Sequence, residues 1–402
     1  MPSFLSSFWS WLPPTSCLPL PPSADASKFT EFGREVVGVD PGNLTSQQLE
    51  EVRDALYKHD VLLFRESGYE AESRATTSFD EAQETIYFKT FDFTSENYGP
   101  RNNKTEGTAK SILHPDLKTI PRVPQVQLIG NGTVYDHEGL AEAKLKHPSH
   151  QTFHKTVVSP EDEAAGFTRF YRWYIDAALY DLSPPRVCRY DDGSGDGSGD
   201  VLPVPLGRTA FVSGKSMFAI LPPALKSVAV RARVKYAPHP YVWMASARAK
   251  STGLGIESDG LEMALEALPP WEEAKLKVLP VTVGTGELSF QGHPCGVAEL
   301  LIDPLPAGAV REGALYPDGA HLTDLQQVRN LLYSMQRPAI APQLVYPHDW
   351  NENDLVLFHN RSVLHSVVGT LTPDQVRAFH QCNLAASDDP VGPGAEDVAT
   401  WA

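Results

Sequence analysis

The chain has 402 residues, 42% apolar and 21% charged, with 34 basic against 50 acidic side chains and a formal net charge of −16. That balance argues against a general affinity for nucleic acid or anionic membranes, and no apolar run is long enough to cross a bilayer. Cys17, Cys188, Cys295 and Cys382 stand far apart without paired spacing, which reads as reduced thiols of a cytoplasmic protein rather than a disulfide framework or zinc knuckle.

Residues 1–27 are expected to form a Pro-rich disordered tail. Apolar residues from Phe4 to Leu12 run into Pro13-Pro14, and no Lys or Arg precedes Lys28, so a secretory signal is disfavoured. Thr45 with Gln48 three residues later predicts a capped helix start, and Leu49, Val52 and Leu56 follow at helical spacing. Val61-Leu62-Leu63-Phe64 predicts a buried strand. A further helix is expected from Asp80 to Glu84 and a loop from Tyr98 to Gly107. Pro124 to Ile129 predicts a strand ending at Gly130-Asn131-Gly132. His114-Pro115-Asp116 is formally a His-x-Asp, but its Pro fixes a turn and no apolar strand leads into it, so it reads as a decoy. His147, His150 and His154 read as polar loop residues rather than a metal cluster.

The aromatic run from Phe170 to Tyr180 carries one carboxylate, Asp176, and stops at Pro184-Pro185. Burying a carboxylate is costly unless it is paired or metal-bound. By itself such an Asp is ordinarily a turn or cap residue. It gains meaning from the distant stretch Asp354 to His365, with Arg377 twelve residues further on. One carboxylate, one His and one trailing Arg point to a mononuclear metal site with an anion-binding partner. Residues 190–200 read as a flexible acidic insertion, since no Glu closes the Asp spacing into a calcium loop. Strands are predicted at Gly207 to Ser213, Arg231 to Tyr236 and within Val278 to Ile302, and a helix at Glu262 to Ala267. Thr323 with Gln326 predicts another capped helix, carrying Val328, Leu331, Leu332 and Met335 and stopped by Pro338. The last strands are Leu344 to Tyr346, Asp354 to Phe358, Ser366 to Val368 and Arg377 to Ala385. Residues 388–402 are expected to be a disordered tail. The late strands must return beside Asp176, which predicts one barrel-like domain over 28–387 with helices packed outside.

Trp173-Tyr174-Ile175-Asp176 with Pro184-Pro185 resembles the Trp-His-x-Asp…Pro-Pro segment of the TauD/TfdA-like Fe(II)/2-oxoglutarate-dependent dioxygenases. Trp350, Asp354-Leu355-Val356 and Asn360-Arg361-Ser362-Val363-Leu364-His365 are similar to its Asp-Leu…Asn-Arg-x-x-x-His element. His114 to Leu117, Thr168 to Trp173, Asp176 to Tyr180 and Gln381 to Ser387 resemble the fungal xanthine dioxygenase-type branch. The resemblance implies a mainly β fold with surrounding helices, a double-stranded β-helix (jelly-roll, cupin-like) barrel. It implies Fe(II) at Asp176, His365 and the position of Tyr174, with O2 and 2-oxoglutarate as cosubstrates. Arg377 and, by alignment, Thr209 would hold the keto acid, whose oxidative decarboxylation gives succinate and CO2. The implied partner is a small molecule, xanthine or a related purine first. The alternatives are an amino acid or other metabolite of fungal secondary metabolism, or a non-catalytic descendant that binds a keto acid. Gln127, Lys146, Glu161, Asp162 and Asn383 are polar residues near matched segments that could hydrogen-bond a flat heterocycle.

Tyr174 departs from the pattern, because the family has a metal-binding His there. A neutral imidazole binds Fe(II) readily, whereas a phenol must first lose a proton with a reference pKa of about 10. Three readings are open: an introduced change that disables or alters the site, a natural residue leaving a two-ligand site or a binding protein, or a ligand in altered chemistry.

Overall fold

The computed structural model describes residues 16–19, 32–65, 118–192 and 207–402, with brief breaks at 42–43, 122, 166–167, 177–178, 182, 258–260, 285, 342, 352–353, 370, 373–374 and 387. The His114-Pro115-Asp116 stretch, the helix expected from Asp80, the loop from Tyr98 and residues 193–200 of the acidic insertion lie outside the described residues.

Strands β1 (Ser16–Pro19), β2 (Arg34–Val37) and β3 (Val61–Phe64) come first, with the helix Ser46–His59 between the last two. Its start follows the predicted chemistry: the Thr45 hydroxyl accepts from the Gln48 N–H at 3.3 Å, and the Gln48 side chain accepts from the Thr45 N–H at 2.9 Å. Leu49, Val52 and Leu56 form its buried face. Strands β4 (Lys118–Ile120), β5 (Val123–His137), β6 (Leu140–Leu145) and β7 (Ser183–Asp192) follow, then β8 (Thr209–Ser213) and β9 (Ala232–Tyr236). The short strands β10 (Val278–Pro280), β11 (Thr282–Gly284), β12 (Leu288–Phe290), β13 (Val297–Ile302) and β14 (Ala320–Leu322) precede the helix Leu325–Gln336. The chain closes with β15 (Val345–His348), β16 (Leu355–His359), β17 (Val363–Val367) and β18 (Arg377–Ala386).

The large sheet has the order β1-β2-β3-β16-β7-β18-β5-β4, with β6 added on β5, and a smaller sheet has the order β15-β8-β17. The two face each other. Val61, Leu63, Val356, Phe358 and Phe379 of the large sheet share one core with Phe211, Tyr346 and Val363 of the small one, and the Phe211 and Phe358 rings lie 5.3 Å apart. A larger core on the far side of the small sheet takes in Trp173, Val212, Val234 and Leu332, so helices and the β9–β13 sheet cover that face. Among the described residues the large sheet and the β15-β8-β17 sheet face each other without joining into a hydrogen-bonded closed ring, and the β10-β9-β13-β14 sheet and the β11-β12 pair stand apart from both. The late strands do return beside the first motif: β18 and β16 flank β7, and the segment around Tyr174 runs antiparallel to β17.

Several boundaries differ from expectation. Ser16–Pro19, placed in a disordered tail, pairs antiparallel with Arg34–Val37, because the sheet edge offers unpaired backbone groups to any extended neighbour. Asp191 and Asp192, assigned to the acidic loop, continue β7 opposite Leu355 and Phe379. Residues 388–402 are ordered and not a disordered tail. They end in the helix Ala395–Trp401, whose Trp401 ring lies under the Lys226 ammonium at 4.3 Å and edge-on to Phe218. Lys277 pairs with Asp389 at 3.1 Å, and the Gly284 N–H donates to the Val391 carbonyl. The expected helix at Glu262 to Ala267 shrinks to one 3-10 turn at Leu265–Ala267, and Asp324 rather than Thr323 caps the Leu325–Gln336 helix.

Candidate active site

Residues 170–176 run as extended chain along β17, bridged at Phe170–Val368 and Tyr174–His365. Alternation along an extended segment sends successive side chains to opposite faces. Trp173 and Ile175 enter the large core fully buried, so Arg172, Tyr174 and Asp176 share the other face. The turn between β16 and β17 fixes this segment. The Asn360 side chain accepts from the Asp176 N–H at 2.8 Å and donates to the Asp176 carbonyl at 2.8 Å. Next to it, Arg361 donates to the Pro184 carbonyl and to that of Asp388. The Asn-Arg pair thus ties the second motif to both parts of the first. Asn360 is fully buried, and Asn360→Ala would leave two buried backbone groups of Asp176 unpaired. The expected loss of stability is roughly 2–6 kcal/mol at about 1–3 kcal/mol per orphaned group. Denaturant unfolding of Asn360→Ala against Asn360→Asp, which keeps only the acceptor, measures it.

Asp176 and His365 meet, with Oδ1 and Nε2 3.4 Å apart in a buried setting. Two such atoms at that spacing can share one small cation. The other Asp176 oxygen, Oδ2, accepts from the Gln381 amide at 2.9 Å, which orients the carboxylate from β18. The Tyr174 ring stacks at a tilt against the His365 ring, centroids 4.2 Å apart. Behind Tyr174 lies His293, fully buried, its ring 6.1 Å from that of Tyr174 and 5.5 Å from that of Tyr241. Burial, reinforced by the Arg172 charge, pushes the His293 pKa well below its ordinary value and keeps the imidazole neutral. Among the described residues no three His, Cys, Asp or Glu side chains converge to hold a metal. The candidate donors for Fe(II) are therefore Asp176 and His365, with a phenol where a second imidazole would make a third ligand.

Arg377 opens β18 and is buried. Its guanidinium lies 4.9 Å from the Phe379 ring centre and 5.9 Å from that of Trp350. The Trp350 indole N–H donates to the Thr209 hydroxyl at 3.1 Å, so one tryptophan joins the two residues expected at the keto acid. Gly207, at φ +74°, makes room: a Cβ there would sit 3.0 Å from an Arg377 nitrogen. His147 also feels this cation. Burial first, and then the Arg377 charge, pushes its pKa down to about 3. The unfolded chain, with an imidazole near 6.5, takes up the proton first, so stability is full above that pH and is lost as pH falls from 6.5 towards 3. The expected contribution is about 1.4 kcal/mol per pH unit. Between pH 7 and 5 the protein should lose about 2 kcal/mol more than His147→Gln in denaturant unfolding.

The remaining expected contacts divide. Gln127 is buried on β5 directly opposite Gln381, hence on the sheet face that reaches Asp176. Lys146, Glu161 and Asp162 are exposed, Lys146 just before His147 and the acidic pair in the first turn of the short helix Pro160–Ala164. Asn383 pairs with Cys188 across β18 and β7. His150 and His154, read as polar loop residues, are buried: His154 contacts the Tyr171 carbonyl at 2.8 Å, and His150 lies 3.2 Å from Glu163. Sequence reasoning missed Gln381 and His293 as parts of the site. Gln381 lay inside a matched run, but nothing in its spacing tied it to Asp176, and His293 stands in a Gly-His-Pro turn without a motif.

The model of the taurine catabolism dioxygenase TauD, TfdA family matches residues 188–383, a span that includes Thr209, His365 and Arg377 but begins after Asp176. The chain is 45% identical over 390 residues to the α-ketoglutarate-dependent xanthine dioxygenase of Schizosaccharomyces pombe, covering 92% of this chain and 88% of that protein. It is 43% identical over 398 residues to the α-ketoglutarate-dependent xanthine dioxygenase of Emericella nidulans, covering 94% and 99%. A taurine dioxygenase structure from Burkholderia xenovorans superposes with a TM-score of 0.50 at 16% identity, covering 95% of this chain and 92% of the other. That last likeness speaks for the fold, the jelly roll of such enzymes.

Proposed function

Because this chain belongs to the TauD/TfdA family of α-ketoglutarate-dependent dioxygenases, we propose that it oxidises xanthine or a related purine at the expense of 2-oxoglutarate and O2, with turnover reduced by Tyr174. The observation that carries this reading is the Asp176–His365 pair, 3.4 Å apart and held by Asn360 and Gln381, beside the Arg377–Trp350–Thr209 assembly. Asp176 and His365 would hold Fe(II), which in this family couples decarboxylation of 2-oxoglutarate to oxidation of a substrate C–H bond. Arg377, always protonated and fork-shaped, suits the distal carboxylate of the keto acid, with the Thr209 hydroxyl beside it. Gln127 supplies an amide to the substrate, and Lys146, Glu161, Asp162 and Asn383 complete the proposed contacts. The purine is favoured by the two fungal relatives, both named for xanthine. No helix among the described residues is long and apolar enough to cross a membrane. A cytoplasmic location fits the dispersed cysteines.

A second reading has its own support: the phenol in place of an imidazole suits a descendant that binds a keto acid without turnover. Succinate separates the two. The chain and its Tyr174→His variant are supplied with Fe(II), 2-oxoglutarate and O2, and xanthine, hypoxanthine and taurine are compared as triggers of succinate release. Xanthine-dependent release, at least in the variant, supports the enzyme. Taurine acting in place of the purines would overturn the substrate, and release from neither protein would favour the binding descendant.

A further inference from the structure

The alternation that places Tyr174 and Asp176 on the site face also places Arg172 there, and neither the metal nor the keto acid employs it. Its guanidinium carbon lies 5.1 Å from the ring centres of Tyr174 and Tyr241, 5.3 Å from that of Tyr171 and 5.5 Å from that of Phe153. Its Nε is buried without a hydrogen-bond partner, and among the described residues no carboxylate pairs with the side chain. The residue as a whole is half-buried; a guanidinium cannot be deprotonated in a protein, and withdrawing even part of it from water without a counter-charge is costly. Aromatic faces return part of that cost. They do not satisfy the in-plane N–H donors, which are built for an anionic or carbonyl oxygen. His293 adjoins the same rings, and neither of its ring nitrogens bonds to another described residue.

We infer that Arg172 is an anion subsite at the substrate end of the site, taking the anionic or carbonyl-bearing edge of a flat heterocycle that packs against the surrounding rings. His293, with both ring nitrogens buried and bonded to no other described residue, meets a second edge of the same ring system. This rests on the purine reading and narrows it to an oxopurine, whose carbonyls share the charge of a deprotonated ring nitrogen. Unsubstituted purine lacks such an edge.

The full chain, with Fe(II) and 2-oxoglutarate and without oxygen, is titrated calorimetrically with xanthine, unsubstituted purine and benzoate, beside Arg172→Met and Arg172→Lys. Xanthine affinity should fall at least about tenfold in Arg172→Met, with Arg172→Lys between, since the lysine keeps the charge but loses the fork. Purine should bind more weakly than xanthine and be indifferent to the change. The affinity for 2-oxoglutarate, titrated separately, should stay within about twofold, because Arg377 serves it. Should Arg172→Met be misfolded, Arg172→Lys carries the test, with a loss of about threefold or more expected. Equal xanthine binding by the chain and a folded variant overturns the inference. So does a parallel loss of 2-oxoglutarate affinity, or a chain that binds no member of the panel. Benzoate bound through Arg172 while xanthine is ignored would keep the anion subsite and remove the purine reading.

Discussion

Tyr174→His is expected to raise Fe(II) affinity by at least about 10–100-fold, the range that loss of a mere supporting partner of a metal ligand commonly costs. Asp176 and His365 lie 3.4 Å apart, but no third His, Cys, Asp or Glu joins them among the described residues. The Tyr174 backbone is already fixed by paired hydrogen bonds with His365, each 3.0 Å, so an imidazole placed there starts from the correct strand register. Its ring would also inherit the place beside His365 that the phenol now fills, centroids 4.2 Å apart. A phenol must shed its proton to bind Fe(II), and phenolate favours the ferric ion, which works against O2 activation. The variant should therefore gain the visible charge-transfer band of an iron–keto-acid complex under anaerobic conditions, followed by succinate release in air. The chain with Tyr174 should show little of either. Brisk 2-oxoglutarate turnover by the chain, with a slower His variant, would make Tyr174 a working part of different chemistry.

Much of the site was legible because its chemistry is spelled in short motifs. Asp176, His365 and Arg377 were singled out by residue type and interval, and the first two now meet at 3.4 Å. Capping also reads locally, since Thr45 and Gln48 need only each other to start a helix. What escaped depends on long-range pairing. Gln381 reaches Asp176 across 205 residues, and only the β5–β18–β7 register puts it there. His293 is buried by rings from Tyr174 and Tyr241 that no periodicity links to it. The C-terminal segment reads as polar and Gly/Pro-rich, yet Trp401 finds Lys226 and Phe218, and Asp389 finds Lys277. Composition reports the average solubility of such a segment and is silent about one aromatic anchor.

Arg377→Met should weaken 2-oxoglutarate binding by roughly 30-fold or more. Truncating one partner of a buried, hydrogen-bonded charge pair typically costs about 2–5 kcal/mol, and each 1.4 kcal/mol is about tenfold. The Met side chain keeps most of the apolar stem, so what is lost is the charge and the two-pronged donor set. Arg377→Lys separates these, retaining charge without the fork, and an intermediate loss is expected. The fold should tolerate both changes. The guanidinium packs against the Phe379 and Trp350 rings at 4.9 and 5.9 Å, contacts worth about 0.5–2 kcal/mol. Trp350→Phe tests the link from the other side: it removes the indole N–H that holds the Thr209 hydroxyl at 3.1 Å, and a loss of about 0.5–1.5 kcal/mol in keto-acid affinity is expected. Equilibrium binding of 2-oxoglutarate to the three variants, with thermal unfolding as the check on folding, measures the whole series. Undiminished binding by a folded Arg377→Met would move the cosubstrate to another cation. Arg172, the guanidinium caged by rings on the Asp176 face, would be the one to substitute next.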